Sequence, residues 1–349
     1  MSIQMTRRER VLAAIRHEAV DRLPTDYWGT AEATQKIMAA LGVSTQPAMW
    51  DRLGIDKIVN VGPVWRGPRD DMWGVTTKNV AYADGTGVYA EVGKHPLAAC
   101  ETIDEVEATY VWPTTEMFDY SVIPAQCREY SEFALEGGYI SLLYFYDILR
   151  GTENMLFDLA GNPELARYIL AKLQTFSHEH TRRILEAADG RVDVSQVTDD
   201  FGSQSGLLVG LPMLKEYLSA YYAENIALVK SFGAAVFHHD DGAMTAAMPW
   251  LDELGIDILN PLQWHLPGWN LAEMKRVYGQ RVCFHGGIDN QFVLPFGTPD
   301  EVEAEVKACI DTLFADRTGY ILAPCHNVQV ISPVENIVRM YEAAHRFGS

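Results

Sequence analysis

Acidic, amide and imidazole side chains follow several short apolar segments in the second half of this 349-residue chain. In chain order they are Asp199-Asp200, His238-His239-Asp240-Asp241, Gln263, His285 with Asp289, and Cys325-His326. If the apolar segments are parallel strands of a barrel, their carboxyl ends meet at one mouth, where barrel enzymes carry their active sites. Carboxylates and imidazoles bind divalent metals and transfer protons. The sequence therefore predicts a catalytic pocket at that mouth.

One part of this set has the spacing of a metal site. His239 and Asp241 are two residues apart, so the alternation of a strand points both to the same side, away from His238 and Asp240. Adding His326 gives two imidazoles and one carboxylate, a set that suits a divalent metal with open positions. Two alternatives stay open: a His239–Asp241 hydrogen bond that orders the loop, or a neighbouring thiol, Cys325, in place of His326.

Three aspartates are candidates for catalysis. Asp199 and Asp200 are adjacent, and neighbouring carboxylates in a pocket shift each other's pKa values apart, which suits proton transfer. The alternative is that one of them caps a helix. Asp289 is the third candidate, and its place after two glycines also fits a structural turn.

Five further residues at or near predicted strand ends are candidates for substrate binding: Trp28, Tyr144, Gln204, Gln263 and His285. For Trp28 and His285 the alternative is simple packing at the barrel rim.

The elements that must position these residues follow a βα rhythm. Strands are predicted at 23–28, 55–61, 139–144, 192–197, 234–239, 256–262, 282–285 and 320–325. Helices are predicted at 7–17, 31–41, 154–188, 212–232, 245–254, 271–278, 298–314 and 333–347. Eight strands predict one α/β domain over residues 1–349, a single (β/α)8 TIM barrel with an N-terminal helical extension and a hairpin-containing insertion at about 63–108.

Composition narrows the class of partner. A net charge of −19 opposes binding to nucleic acid and to anionic membrane surfaces. Five scattered cysteines without a CxxC pair indicate reduced thiols. The N-terminus lacks the apolar region of a signal peptide, and no apolar stretch approaches the ~20 residues of a membrane span. A cytoplasmic enzyme is expected.

Several segments resemble the uroporphyrinogen decarboxylase superfamily over nearly the whole chain. They are RRERVLAAIRHEAVDRLP at the start, HDDG at 239–242, GIDILNP at 255–261, FHGGIDNQ at 284–291, GTPDEVEAEV at 297–306 and GYILAPCHNVQVISPVENI at 319–337. The resemblance implies a TIM barrel and one of two activities: decarboxylation of uroporphyrinogen, or methyl transfer involving a corrinoid.

The residues that match the motifs favour methyl transfer. The decarboxylases resembled here bind carboxylates through an arginine-bearing segment, whereas residues 24–36 contain no arginine. Asp56 does resemble their pyrrole-binding aspartate. The methyltransferases resembled here carry a zinc site, and its positions match His239, Asp241 in place of a cysteine, and His326 or Cys325. This harder ligand set suits zinc, with iron or manganese as alternatives.

The sequence thus predicts a metal-dependent methyltransferase or demethylase that acts on a small molecule. The resemblance implies a corrinoid on a separate partner protein, or a thiol, as the other methyl carrier, and a homodimer as one assembly state. A metal-dependent lyase, decarboxylase or hydrolase of a small aromatic or carboxylic substrate is the first alternative. A non-catalytic module that binds a ligand or a corrinoid is the second.

Overall fold

The computed structural model describes residues 4–81 and 88–349, with side chains described outside 81–90. Its strands are β1 (Ile58–Asn60), β2 (Val64–Trp65), β3 (Thr76–Ala81), β4 (Val88–Lys94), β5 (Phe118–Asp119), β6 (Ala134–Ile140), β7 (Val194–Val197), β8 (Ala235–His239), β9 (Ile258–Asn260), β10 (Cys283–Ile288) and β11 (Tyr320–Pro324). Its α-helices are α1 (Arg7–Ile15), α2 (Ala31–Leu41), α3 (Gln46–Leu53), α4 (Ile103–Thr109), α5 (Ile123–Glu129), α6 (Leu142–Arg150), α7 (Thr152–Gly161), α8 (Pro163–Ala188), α9 (Leu211–Ser231), α10 (Met248–Leu254), α11 (Leu271–Tyr278), α12 (Val293–Phe296), α13 (Pro299–Leu313) and α14 (Val334–Phe347).

Seven strands form one curved parallel sheet in the order β1-β6-β7-β8-β9-β10-β11. Helices follow the strands along the chain, and the strands from β6 onward are buried along almost their whole length. Strands that are covered on both faces have near-continuous apolar character, which is why the polar residues stand out at their ends. The predicted (β/α)8 barrel class is confirmed.

The eighth barrel position is filled by the segment 23–29, which was predicted as a regular strand. It instead makes isolated parallel bridges, one of them between Thr25 and Leu322. On its other side the Thr25 carbonyl accepts from the Asp56 N–H at 3.0 Å. The carboxylate of Asp26 also accepts the Ile58 N–H at 3.1 Å, so a side chain replaces part of the backbone ladder. The barrel closes through this segment, but without a continuous strand.

Two other predicted boundaries move for local reasons. The strand predicted at 139–144 is β6, which begins earlier, at Ala134. Gly138 has a φ of +88° and lies at an irregularity inside this strand. It therefore does not mark a turn that precedes the strand. The helix predicted at 154–188 is two helices, since Asn162 precedes Pro163 and has a non-helical ψ of 63°. A residue before proline disfavours the helical region, and proline is well placed in the first turn of a new helix.

The predicted insertion at about 63–108 contains one antiparallel strand pair, β3 with β4, and contributes β2 to a second pair whose other strand, β5, lies beyond the predicted bounds. β2 pairs with β5, and β3 pairs with β4, all between β1 and β6 along the chain. Residues 82–87, between β3 and β4 along the chain, lie outside the described residues. Within the described residues, no helix combines the length and apolar character that crossing a bilayer requires.

Candidate metal centre

Three side chains, from the end of β8, the turn after β8 and the loop after β11, converge at the carboxyl end of the barrel. The ligand atoms of His239, Asp241 and His326 lie within 4.8 Å of one another. Asp241 Oδ2 is 3.8 Å from His239 Nε2 and 3.9 Å from His326 Nε2. These distances are too long for hydrogen bonds, and one ion at ~2.1 Å from each atom would need only small side-chain rotations. The geometry brings the three predicted ligands together.

The chemistry of Asp241 tests whether a cation fits. Its Oδ1 atom is buried and has no hydrogen-bond partner in the described part of the chain. Burial raises the pKa of Asp241, while His239 and His326 act to lower it. A buried carboxylate oxygen without a partner costs about 1–3 kcal/mol, and a cation held by both oxygens of Asp241 would offset that cost. The residues fit a metal ion, and the alternative His239–Asp241 hydrogen bond is not formed.

The orientation of His239 is fixed by a neighbouring amide. His239 Nδ1 lies 2.5 Å from Asn260 Oδ1, and Asn260 Nδ2 lies 2.7 Å from His285 Nδ1. Because Oδ1 can only accept, His239 Nδ1 must carry the proton, which leaves the lone pair of Nε2 facing Asp241. Metal-binding histidines are held in this way by a second hydrogen bond.

The same network continues to a buried charge. His285 Nε2 is 3.1 Å from Asp26 Oδ2, and Lys57 Nζ is 3.0 Å from Asp26 Oδ1. Burial would raise the pKa of Asp26, but Lys57 and His285 outweigh it and hold that pKa well below its usual range. A fixed carboxylate thus anchors the chain Asp26–His285–Asn260–His239. His285, predicted to bind substrate, is fully buried and acts through Asn260 in this geometry.

Trp28 lies directly against the two histidine candidates. Its ring stacks on His239 with 5.5 Å between centroids and meets His326 edge-on at 6.4 Å. Its Nε1–H donates to Asp26 Oδ2 at 3.1 Å, which fixes the ring. Of the predicted substrate-binding residues, Trp28 therefore lies at the candidate metal centre.

The adjacent aspartates have different surroundings. Asp200 is 41% exposed, accepts the Asp241 N–H at 3.0 Å and has Oδ1 3.8 Å from His239 Nε2. Asp199 is buried, and its oxygens accept from Ser141 Oγ at 2.7 Å, from the Tyr144 N–H at 3.0 Å and from the Tyr222 hydroxyl at 3.0 Å. Burial raises the pKa of Asp199 to about 6. Asp200 therefore faces the three ligand candidates, whereas Asp199 caps the start of α6.

The contacts of Asp289 lie within the loop that follows β10. Its Oδ1 accepts the Gln291 N–H at 2.7 Å, and its own N–H donates to Glu305 Oε1 at 2.7 Å. These bonds order a turn, as the glycines before it suggested. The structure does not bring Asp289 into the cluster of ligand candidates.

Three other predicted substrate-binding residues lie around the mouth. Gln263 accepts the Gly242 N–H through Oε1, so it holds the turn that carries Asp241. Tyr144 is 43% exposed in the first turn of α6, and Gln204 is exposed in the loop after β7. Gln263 thus contacts the turn that carries Asp241 through a hydrogen bond.

Cys325 and His326, the two alternatives for the third ligand, follow β11 and point in different directions. The Cys325 thiol is buried and donates to the Leu262 carbonyl at 3.2 Å, and burial raises its pKa well above the ordinary value. His326 joins the cluster instead. The alternation predicted after β8 also holds: His238 is buried on the opposite side, where its Nδ1–H donates to the Val197 carbonyl at 3.0 Å and burial lowers its pKa to about 4.

The comparison of Asp56 with a pyrrole-binding aspartate needs correction. Asp56 precedes β1, at the opposite end of the barrel, and is fully buried. Its oxygens bind Arg10 at 2.5 Å, Arg22 at 2.8 Å and the Thr25 N–H at 3.0 Å. A carboxylate with these partners has no capacity left for a substrate at the mouth.

Sequence reasoning missed the residues behind the ligands, namely Asn260, Asp26 and Lys57. The signal for Asn260 was present, because a polar residue interrupts the apolar strand segment Ile258–Asn260 just before a proline. Asp26 and Lys57 gave no such signal, since 31 positions separate them along the chain.

Comparisons with known proteins agree with this fold. The family model described as Uroporphyrinogen decarboxylase (URO-D) matches residues 142–347, which is more than half of the chain. A curated uroporphyrinogen decarboxylase from Dechloromonas aromatica (strain RCB) is 27% identical over 99 residues, a match that spans 28% of this chain and 26% of that protein. A solved methyltransferase from Methanosarcina mazei superposes with a TM-score of 0.67 at 17% identity and covers 99% of both chains. A 3-keto-D-glucoside 4-epimerase from E. coli reaches a TM-score of 0.40 at 14% identity, over 65% of this chain and 84% of that one.

The match to the curated decarboxylase covers only about a quarter of that protein. The superposition on the methyltransferase shows a shared fold and nothing about activity. The family model, however, includes β7 to β11 and with them all three ligand candidates. The chain belongs to the uroporphyrinogen decarboxylase (URO-D) family.

Proposed function

We propose that this chain is a metal-dependent methyltransferase or demethylase that moves a methyl group between a small molecule and a corrinoid on a separate partner protein, or a thiol acceptor. The observation that carries the proposal is the convergence of His239, Asp241 and His326, in which both imidazoles lie 3.8–3.9 Å from Asp241 Oδ2 while Oδ1 has no hydrogen-bond partner in the described residues. The full-length fold similarity to the Methanosarcina mazei methyltransferase supports it. So does the saturation of Asp56, because the residue that resembled the decarboxylases' pyrrole-binding aspartate is fully paired with Arg10, Arg22 and Thr25.

Zinc is the metal expected first, because two histidines and one carboxylate form a common catalytic zinc set with open positions. A bound metal would act as a Lewis acid and lower the pKa of a substrate thiol or hydroxyl. Asn260 keeps His239 Nε2 unprotonated for its ligand role, and Trp28 covers both histidines on one side. Asp200, exposed and 3.8 Å from His239 Nε2, is placed to accept the proton that the substrate loses.

The rim of the mouth offers a surface for the proposed partner protein. Tyr144, Leu208, Phe292 and Phe296 are 43–67% exposed, and they lie on the segments that follow β6, β7 and β10. Large apolar side chains that are exposed to solvent are common at interaction surfaces, and these four are candidates for such a contact. A corrinoid protein that docks on this rim would bring its cofactor to the side of the barrel where the ligand candidates lie.

Elemental analysis of purified protein tests the ligand assignment. We expect about one equivalent of zinc in the wild type and less than ~0.1 equivalent in a His239→Ala/Asp241→Ala double variant. Cys325→Ser is the matched control, because it changes the residue next to His326 while keeping a donor to Leu262. Absence of metal from wild type after chelator-free purification and reconstitution would overturn the assignment.

The reaction class needs a second measurement. Methyl transfer to added cob(I)alamin, followed by its absorbance change, should depend on the metal and be lost in the double variant. Turnover of a substrate without any corrinoid, or stoichiometric iron or manganese, would favour a lyase, decarboxylase or hydrolase. Unaltered ligand binding without metal would favour a binding module.

A further inference from the structure

A small cavity lies beside Asp200, between the helices α6 and α7 and the connection from β7 to α9. Its volume is about 130 Å³, and Leu143, Met155, Val209 and Leu214 supply apolar parts of its wall. An apolar cavity of about 150 Å³ holds a benzene molecule, so this one has room for roughly five or six non-hydrogen atoms. The cavity is therefore the size of a small substrate or of one substituent.

One wall of this cavity carries a carboxylate without a partner. Asp147, on α6, lines the cavity, and its Oδ1 atom is buried with no hydrogen bond in the described part of the chain. The basic residue closest in sequence on α6, Arg150, is occupied by Asp158 at 2.7 Å and by the Leu97 carbonyl at 2.8 Å. Because the Asp147 side chain makes no hydrogen bond or ion pair within the described residues, a donor on a ligand in the cavity would give this carboxylate a partner.

The charge of the walls determines which ligand fits. Asp147 and Asp200 both line the cavity, and among the described residues no lysine, arginine or histidine lines it. An anion would face two carboxylates, whereas a cation would gain a charge-assisted hydrogen bond. The net charge of −19 also favours the approach of cations.

We propose that this cavity binds a small organic cation, an alkyl- or cycloalkylammonium of about six non-hydrogen atoms, with its ammonium on Asp147 and its hydrocarbon part against the apolar wall. Asp200 connects this cavity to the candidate metal centre, since its Oδ1 is 3.8 Å from His239 Nε2. That the bound amine is the substrate rests on the proposed function. The binding itself needs only the cavity.

Calorimetric titration with three probes of one shape tests the proposal. Cyclopentylammonium, cyclopentanol and cyclopentanecarboxylate are titrated at pH 7 into full-length protein, as purified and again after chelator treatment. We expect the cation to bind at least ten times more tightly than the alcohol, and the carboxylate not to bind. Asp147→Asn should weaken binding of the cation 10–100-fold, and Val209→Phe should abolish it by filling the cavity.

Asp311→Asn is the matched control, because it makes the same charge change on the exposed outer face of α13, and it should leave affinity unchanged. Circular dichroism and melting temperature establish that each variant is folded. Absence of binding in wild type, equal binding of the carboxylate, or unchanged affinity in Asp147→Asn overturns the proposal. Because titration of chelated protein requires no metal, failure of the zinc assignment and failure of this proposal are separate results.

Discussion

The two ends of the barrel each hold a cluster of charged residues, but the clusters differ in how fully they are paired. At the amino end, the buried Asp56 accepts hydrogen bonds from Arg10 and Arg22 at 2.5–2.9 Å. At the carboxyl end, Asp241 stands 3.8–3.9 Å from two imidazoles, and one of its oxygens has no partner in the described residues. A saturated cluster stabilises the fold, whereas an unsaturated one is available for a ligand.

The pKa directions of the carboxyl groups follow this difference. Near the amino end, burial would raise the pKa of Asp21, but hydrogen bonds from Arg10 outweigh it and lower that pKa to about 2. At the mouth, burial raises the pKa of Asp241, and the nearby histidines only oppose it. Ion pairs therefore offset the desolvation of the carboxylates at the amino end, whereas at the mouth the two histidines offset the desolvation of Asp241 only in part.

Breaking the saturated cluster should have the largest effect on stability. Asp56→Ala leaves the buried Arg10 without that partner, and removal of one member of a buried ion pair costs about 3–5 kcal/mol. Urea unfolding should show this loss. The control Asp51→Ala, in an exposed pair with Arg7, should cost less than about 1 kcal/mol. A loss of similar size in both variants would contradict the comparison.

Asp199 is an intermediate case between Asp56 and Asp241, because its hydrogen bonds offset the cost of burying its carboxylate only in part. Its folded pKa of about 6 exceeds the ordinary 3.8, so the folded state binds a proton more tightly than the unfolded state. Its stabilising contribution is present below pH 3.8 and is lost as pH rises to about 6. The unfolding free energy of Asp199→Asn should therefore gain up to about 3 kcal/mol relative to wild type between pH 4 and pH 7. Parallel curves for the two proteins across this range would contradict it.

Asn260 tests the network behind the metal candidates. Asn260→Ala removes the acceptor for His239 Nδ1, and loss of such a second hydrogen bond costs 10–100-fold in metal affinity, or about 1.4–2.7 kcal/mol. Zinc affinity is measured by competition with a chromophoric chelator. Asn260→Asp keeps an acceptor and should lose less, and Asn154→Ala, far along the chain on α7, should lose nothing. Equal affinity in all four proteins would show that the network does not position His239.

Sequence patterns predicted those features that depend on local periodicity. The period of two placed His239 and Asp241 on one side and His238 on the other, as the structure confirms. His326 is 85 residues after Asp241 in the sequence. It was still a candidate ligand, because the carboxyl ends of all strands in a barrel lie around the same mouth. Whether His326 or Cys325 faces the mouth depends on the backbone orientation directly after β11, and no sequence pattern predicts that orientation.

Contacts between distant segments were beyond the sequence. Asp56 resembled a binding residue until Arg10 and Arg22 were seen to occupy it, and these pairings span 46 and 34 positions. Asp147 lies within a helix that the sequence pattern did not predict, so its cavity could not be foreseen. Local alternation is a property of a few neighbouring residues, whereas saturation of a polar group is a property of the whole packing.

The smallest expected effect is at Asp241, where the same substitution as at Asp56 should barely change the stability of the metal-free protein. Asp241→Ala removes a carboxylate whose desolvation raises its pKa and whose Oδ1 makes no hydrogen bond within the described chain. Since no hydrogen bond to that side chain is lost, we expect the unfolding free energy in the presence of chelator to change by less than about 1 kcal/mol, or to rise. Urea unfolding with chelator and with added zinc measures both states. Zinc should stabilise the wild type and not the variant, because a ligand stabilises only the protein that binds it. A loss of several kcal/mol in chelator would mean that Asp241 is a structural residue like Asp56, and the contrast between the two ends of the barrel would fail.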